Sequence, residues 1–331
     1  MATINDIALR LGISKSTVSK GLGNATDISA KMRKKIQDTA IELGYTPKNA
    51  PKRTKKLCIL IENMNYDTPN QFGYDIILGF RQMALPDDWT IDIVPSSVEM
   101  QQKTPYDIFM LEYNYQAAFV LGFSLSDPWM LEFPFTKIPT VLYDNYIKNN
   151  PNVTSISCNN HEAFELAVNH LYELGHKKIG FLSHPLNSHI IRTRYNAYLN
   201  AMNKYELEIN GNYIIIERYV TESTRESIPQ LIRQGVTAIL CSHDIHAISA
   251  IKECQRLGVR VPEDLSIIGF DDLPITTSVH PSLTTLRQDR ISLGKCGYYA
   301  VSCLLNGLAI ESIQLRAPLI IRESTGPVKK K

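Results

Sequence analysis

Two groups of residues have the types and spacing to do chemistry. In Ser14-Lys15-Ser16-Thr17-Val18-Ser19-Lys20, short hydroxyls and ammonium groups recur at helical intervals, a set suited to hydrogen bonding with base edges and phosphates. Further on, His243-Asp244 close to Cys241, and the pair Asp271-Asp272, are groups of the kind used in acid/base or nucleophilic steps. No G-x-S-x-G, Walker A, H-E-x-x-H or G-x-G-x-x-G accompanies them, and His161 and His176 stand without metal-ligand spacing. A catalytic centre, a metal and a cofactor are therefore not expected. The six cysteines, Cys58, Cys158, Cys241, Cys254, Cys296 and Cys303, are scattered without a C-x-x-C, the pattern of free thiols in a reducing compartment.

The elements that must position the first group are short helices. Ile4, Ile7, Ala8 and Leu11 mark one helix face, opened by Thr3 as N-cap with Asp6 three residues on. Ser14 caps a second helix with Val18 and Leu22 inward. Ser29 caps a third, with Met32, Ile36, Ala40 and Leu43 inward and Gly44 at its end. This is a helix-turn-helix. Lys15, Ser16 and Lys20 can reach base edges, while Thr3, Ser14, Ser19, Asn24, Lys31 and Arg33 are better placed for phosphates.

Charge supports this reading. The 331 residues sum to only +2, but residues 1–56 hold 12 Lys/Arg against four Asp/Glu, +8, which leaves −6 for the rest. A basic head on a mildly acidic body points to a polyanionic partner for the head alone. The head spans 1–46 and a short basic linker 47–56. No apolar run reaches the length of a membrane span and no secretion signal opens the chain, so a cytoplasmic protein is expected.

From Leu57 the pattern becomes strand-sized apolar runs alternating with amphipathic stretches. Strands are expected at 57–61, 91–94, 108–111, 118–121, 140–143, 179–182, 213–216, 238–241 and 266–268, and helices at 74–83, 161–174, 192–204, 228–234, 245–257 and 292–306. Such alternation predicts parallel sheets in a doubly wound α/β fold. Its size predicts two lobes with a ligand cleft, lobe 1 about 57–156 and 288–316, lobe 2 about 158–285 and 319–328.

Ala2-Thr3-Ile4-Asn5-Asp6-Ile7-Ala8, Gly12-Ile13-Ser14-x-x-Thr17-Val18-Ser19 and Leu43-Gly44-Tyr45-x-Pro47 resemble the head of the lactose-repressor/galactose-repressor (LacI/GalR) family of transcription regulators. Leu174-Gly175-His176-x-x-Ile179-Gly180, Arg194-Tyr195-x-x-Tyr198, Gly258-Val259-x-Val261-Pro262-Glu263-Asp264-Leu265-Ser266-Ile267-Ile268-Gly269-Phe270-Asp271-Asp272, Pro281-x-Leu283-Thr284-Thr285 and Arg322-Glu323-Ser324-Thr325 resemble its effector domain. The resemblance implies an α/β protein with a three-helix helix-turn-helix head and a two-lobed periplasmic-binding-protein-like body. It implies that Lys15, Ser16 and Lys20 read bases and that Tyr45 helps contact the operator. For the effector it implies Arg194 and Asp271, with Phe72, Asn159, Tyr219 and His243 around them, His243 replacing a usual amide. The family's hinge helix, which wedges a Leu into the minor groove, is not expected here: no Leu lies between Leu43 and Leu57, and Pro51 opposes a helix.

The expectation is a homodimer that binds an operator in double-stranded DNA as a repressor. A small-molecule effector, with a sugar favoured, would control its affinity. A carboxylate and a guanidinium suit vicinal hydroxyls and an aromatic ring suits a sugar's apolar face. A sugar-binding protein without a DNA role and a cleft enzyme are the competing readings.

Overall fold

The computed structural model describes residues 2–23, 25, 27–45, 55–216 and 220–329, with side chains from 224 onward in the last segment. The head consists of α1 (Ile4–Leu11), α2 (Lys15–Leu22) and α3 (Ala30–Glu42). Thr3 accepts from the Asp6 amide at 3.3 Å while the Asp6 carboxylate accepts from the Thr3 amide at 2.7 Å, a reciprocal cap that satisfies two otherwise orphaned donors. Gly12, at φ +66°, turns the chain out of α1, a conformation that costs an L side chain. Ser14 and Ser29 cap α2 and α3 by accepting from Thr17 and Met32 amides. Ile7, Val18, Ile36 and Ala40, all fully buried, and Tyr45 close the core.

The elements that follow are β1 (Lys56–Ile61), α4 (Phe72–Ala84), β2 (Thr90–Pro95), α5 (Val98–Lys103), α6 (Tyr106–Glu112), β3 (Ala117–Leu121), β4 (Thr140–Tyr143), β5 (Val153–Cys158), α7 (Asn160–Glu173), β6 (Ile179–Ser183), α8 (His189–Lys204), β7 (Ile214–Ile216), α9 (Val220–Arg233), β8 (Ala238–Cys241), α10 (Asp244–Leu257), β9 (Ser266–Asp271), β10 (Thr284–Arg287), α11 (Arg290–Leu305), β11 (Ser312–Leu315) and β12 (Leu319–Ile320). They make two six-stranded sheets, ordered β11-β5-β4-β3-β1-β2 and β12-β10-β9-β8-β6-β7. The central strands pair in parallel, as apolar runs alternating with helices require, and β12 joins β10 antiparallel.

The chain divides into two compact units. The first holds Met1–Met64, Phe80–Ser155 and Lys295–Ser312, and the second Asn65–Gly79, Ile156–Gly294 and Ile313–Lys331. In the first unit Trp129, Tyr106 and Phe133 are fully buried and meet edge to face, Tyr106 lying 5.4 and 4.9 Å from the other two. The Trp129 indole N–H donates to the Thr104 carbonyl at 2.8 Å. The second unit buries Ile239, Ile267, Leu283 and Ile251 on one side of its sheet, and stacks Phe164 on Phe270 at 5.8 Å.

One expected strand is a helix. Residues 108–111 lie in α6, where Tyr106, Phe109 and Met110 turn inward at i, i+3 and i+4. A short apolar run reads alike in both conformations; the packing of those three residues onto Trp129 and its neighbours decides it here. Strands β5, β10 and β11 carry too many polar residues to announce themselves, and β12 is only two residues long. Most of the linker, and with it the question of a hinge helix, lies outside the described residues, as do Asn24 and Tyr219. None of the six cysteines, all among the described residues, forms a disulfide. Among the described residues no helix is long and apolar enough to cross a membrane.

Candidate functional site

On the head, Ser14, Lys15, Ser16, Ser19, Lys20 and Lys31 are exposed, and Thr3 is half-buried at the start of α1. The first five line α2, the second helix of the pair, whose start is laced by hydrogen bonds between the Ser14 hydroxyl and those of Ser16 and Thr17 at 2.7 and 2.8 Å. Lys20 is engaged: it forms an ion pair with Asp27, whose carboxyl it draws below the usual carboxylate range. Arg33 turns inward and donates to the Ala25 carbonyl at 2.7 Å, holding the segment between α2 and α3. Tyr45, 4% exposed, packs its ring into the core of the head instead of displaying it. Its amide closes the end of α3 by donating to the Ala40 carbonyl, which draws the ring back onto the helices.

The second unit gathers polar groups at the C-terminal ends of its strands, where open parallel sheets bind ligands. Arg194, on α8, is 4% exposed. Its Nε donates to Asn160 Oδ1 at 3.2 Å and its Nη1 to the Ser242 carbonyl at 2.6 Å. The guanidinium lies 3.7 Å from the centre of the Phe270 ring, and 3.7 Å separates Nη1 from Asp271 Oδ1. Asp271, at the end of β9, takes a strained φ of +117°. Gln288 donates to its Oδ1 at 2.7 Å and Arg290 to its carbonyl at 3.2 Å. Burial pushes its carboxyl up to about 6, against the pull of Arg194, Gln288 and Arg290. Asp244, buried at the start of α10, accepts from Thr285 Oγ1 at 2.6 Å and the Leu273 amide at 2.8 Å; burial and the neighbouring Asp271 raise it as well.

Asp272 is separately employed. Arg287 and Arg322 grip its two oxygens at 2.6 and 2.7 Å, and although burial pushes the carboxyl up, these bonds outweigh it and hold it low. Phe72, half-buried at the start of α4, lies 5.8 Å from the Arg290 guanidinium, which also binds Asp75 at 3.1 Å. Asn159 caps α7 by accepting from the Glu162 amide at 3.2 Å, so its carboxamide oxygen is spent on the helix. The neighbouring Asn160, overlooked in the sequence, is the residue that meets Arg194.

His243 stands just before α10 and stacks on His246 at 4.2 Å with an 8° angle between rings, and both pack on His184 at 4.5 Å. Burial, together with the neighbouring imidazoles, lowers His243 well below its ordinary value and His246 to about 3. Nothing in their spacing announces this group, because His184 joins it only through the pairing of β6 with β8.

A helix-turn-helix head on a chain of parallel α/β units with polar residues collected at strand ends defines a DNA-binding regulator with a ligand-binding body. Residues 3–48 match the model for bacterial regulatory proteins of the lacI family, and residues 168–325 that for a periplasmic binding protein-like domain. The NTD biosynthesis operon regulator NtdR of Bacillus subtilis is 30% identical over 98% of this chain and 100% of its own. The transcriptional repressor CytR of Escherichia coli is 29% identical over 98% and 96%. The fold matches the lac repressor dimer bound to operator and an anti-inducer (TM-score 0.69, 23% identity, 98% of this chain and 99% of that one). It also matches a CelR–cellobiose complex (TM-score 0.71, 20% identity, 98% and 100%). The chain belongs to the lacI family of bacterial regulatory proteins, and its relatives in these comparisons are transcription regulators.

Proposed function

We propose that the protein is a cytoplasmic, homodimeric repressor whose operator affinity is set by a polyhydroxylated small molecule, a sugar or a nucleoside, held by Arg194 and Asp271. The observation that carries this is the buried Arg194–Asp271 pair over the Phe270 ring, on the same chain as an exposed, capped α2. A carboxylate acceptor beside a planar guanidinium matches vicinal hydroxyls. His243 and Phe72 are further contacts in this reading, with Tyr219 assigned by resemblance alone. Asp271 serves as an acceptor and not as an acid: its oxygen and its carbonyl are already fixed by Gln288 and Arg290. CytR and the CelR–cellobiose complex support the same class of function.

Operator binding is tested on two lysines. Lys20→Ala is expected to lower discrimination between operator and random DNA by about 1–3 kcal/mol. Lys34→Ala, on the exposed side of α3, is expected to weaken both alike and flatten the salt slope by roughly 0.9. Fluorescence-anisotropy titrations across salt concentrations separate the two, and equal losses on both DNAs for both variants would contradict the assignment.

Effector binding is expected to depend on pH. The hydroxyl-donating ligand needs ionised Asp271, which takes up a proton as pH falls through about 6. Affinity should therefore hold above that value and drop roughly tenfold per unit below it. A calorimetric screen of sugars and nucleosides at pH 7.5, followed by the best ligand at pH 5, checks this. Affinity that rises on acidification would exclude Asp271 as the acceptor.

A further inference from the structure

We propose that His184, His243 and His246 form a binding site for a divalent transition-metal ion of the zinc class, a function beyond effector and operator binding. The three residues converge from two adjacent parallel strands and one helix. His184 directly follows β6, His243 lies two residues past β8, and His246 sits in the first turn of α10. One ring nitrogen from each lies within 4.8 Å of the others. A tetrahedral centre with bonds of about 2.0–2.1 Å places its nitrogens roughly 3.3 Å apart, so side-chain rotations of about 1 Å close the trio on an ion.

The case rests on hydrogen bonding as well as proximity. His246 is fully buried, and neither of its ring nitrogens has a hydrogen-bond partner among the described residues. Nδ1 of His243 is buried without one too. A buried polar atom left unpaired costs about 1–3 kcal/mol, and folds rarely tolerate several at one place without a reason. An imidazole lone pair given to a metal removes that cost. Nearby side chains would not hold a harder ion: three nitrogens and no carboxylate in the set favour zinc, cobalt, nickel or copper over magnesium or calcium. Three protein ligands leave a fourth position open, which is the arrangement of a site that exchanges a bound group. Because His243 also borders the Arg194 region, an oxygen or nitrogen of a bound small molecule could take that position.

Untagged, chelator-treated protein is titrated with Co2+ and, separately, Zn2+. One Co2+ per chain is expected, with the visible absorption of a tetrahedral centre, displaced by Zn2+. His184→Gln and His246→Gln should each weaken Co2+ binding at least about tenfold, the scale set even by second-layer changes around metals, whereas His161→Gln should not. His246→Leu separates this from a packing role: it should abolish binding while leaving the melting temperature of the metal-free protein unchanged or higher, and Zn2+ should raise that temperature in wild type only. The proposal is overturned if wild type gives no tetrahedral spectrum, if His161→Gln matches the other variants, or if His246→Leu unfolds the protein and His184→Gln binds normally. No sugar or nucleoside enters the assay, so its failure leaves the effector reading standing on Arg194 and Asp271.

Discussion

Arg194→Met is expected to abolish the response of operator binding to effector and to destabilise the protein by about 3–5 kcal/mol, the usual cost of stripping one partner from a buried ion pair. Methionine can still lie on Phe270. What it cannot do is donate to Asn160 Oδ1 and the Ser242 carbonyl, which bind Nε and Nη1 in the wild type, or offset the Asp271 charge 3.7 Å away. Adding Asp271→Asn should recover part of the loss, since the variant no longer buries an unpaired carboxylate. A double-mutant cycle is expected to fall short of additivity by about 1–3 kcal/mol. Effector-free operator binding should persist, because Arg194 belongs to the second unit and none of its bonding partners lies in the head. Urea unfolding with operator titrations in the presence and absence of ligand reads all three quantities. Strict additivity with an intact ligand response would remove Arg194 from the site.

Gly269→Ala should be nearly as severe, at about 3 kcal/mol or more, although it adds a single methyl group. That methyl would sit 2.3 Å from Asp244 Oδ1 and 2.9 Å from Leu283 Cδ2. The carboxylate cannot swing aside, since Thr285 and Leu273 hold its two oxygens. Relief must come from β9 itself, two residues before Asp271, so ligand binding should fall together with stability. Gly211→Ala provides the contrast: nothing lies within 4 Å of its added carbon, and a change within about 0.5 kcal/mol is expected. Comparable unfolding midpoints for the two variants would show that β9 yields where its packing says it should not.

Much of this was legible in the sequence because short-range rules governed it. Thr3, Ser14 and Ser29 cap where their spacing places them, and Arg194 and Asp271, both named by the resemblance, stand 3.7 Å apart. The misreadings share a cause in long-range packing. Residues 108–111 are helical because of what Tyr106 and Phe109 meet on Trp129. Asn159 and Asn160 are chemically alike, and only the start of α7 assigns the first to the helix and the second to Arg194. Tyr45 follows a glycine and looks free to reach outward, but the turn folds it under α3. The histidine group involves residues 59 positions apart, linked by strand pairing that no local pattern records.

The Lys20–Asp27 pair bears on how the head searches DNA. Lys20 does not approach the duplex as a free cation, since it already has an anionic partner on its own chain. Moving it onto a base exchanges one acceptor for another, so the transfer is favourable only where the new acceptor is better placed than Asp27. Salt weakens the old contact along with the new one, which makes Lys20 a poor contributor to salt-driven adhesion. In the proposed reading, random sequence is held mainly by the exposed lysines of α3, and Lys20 would leave Asp27 only where a base edge is the better acceptor.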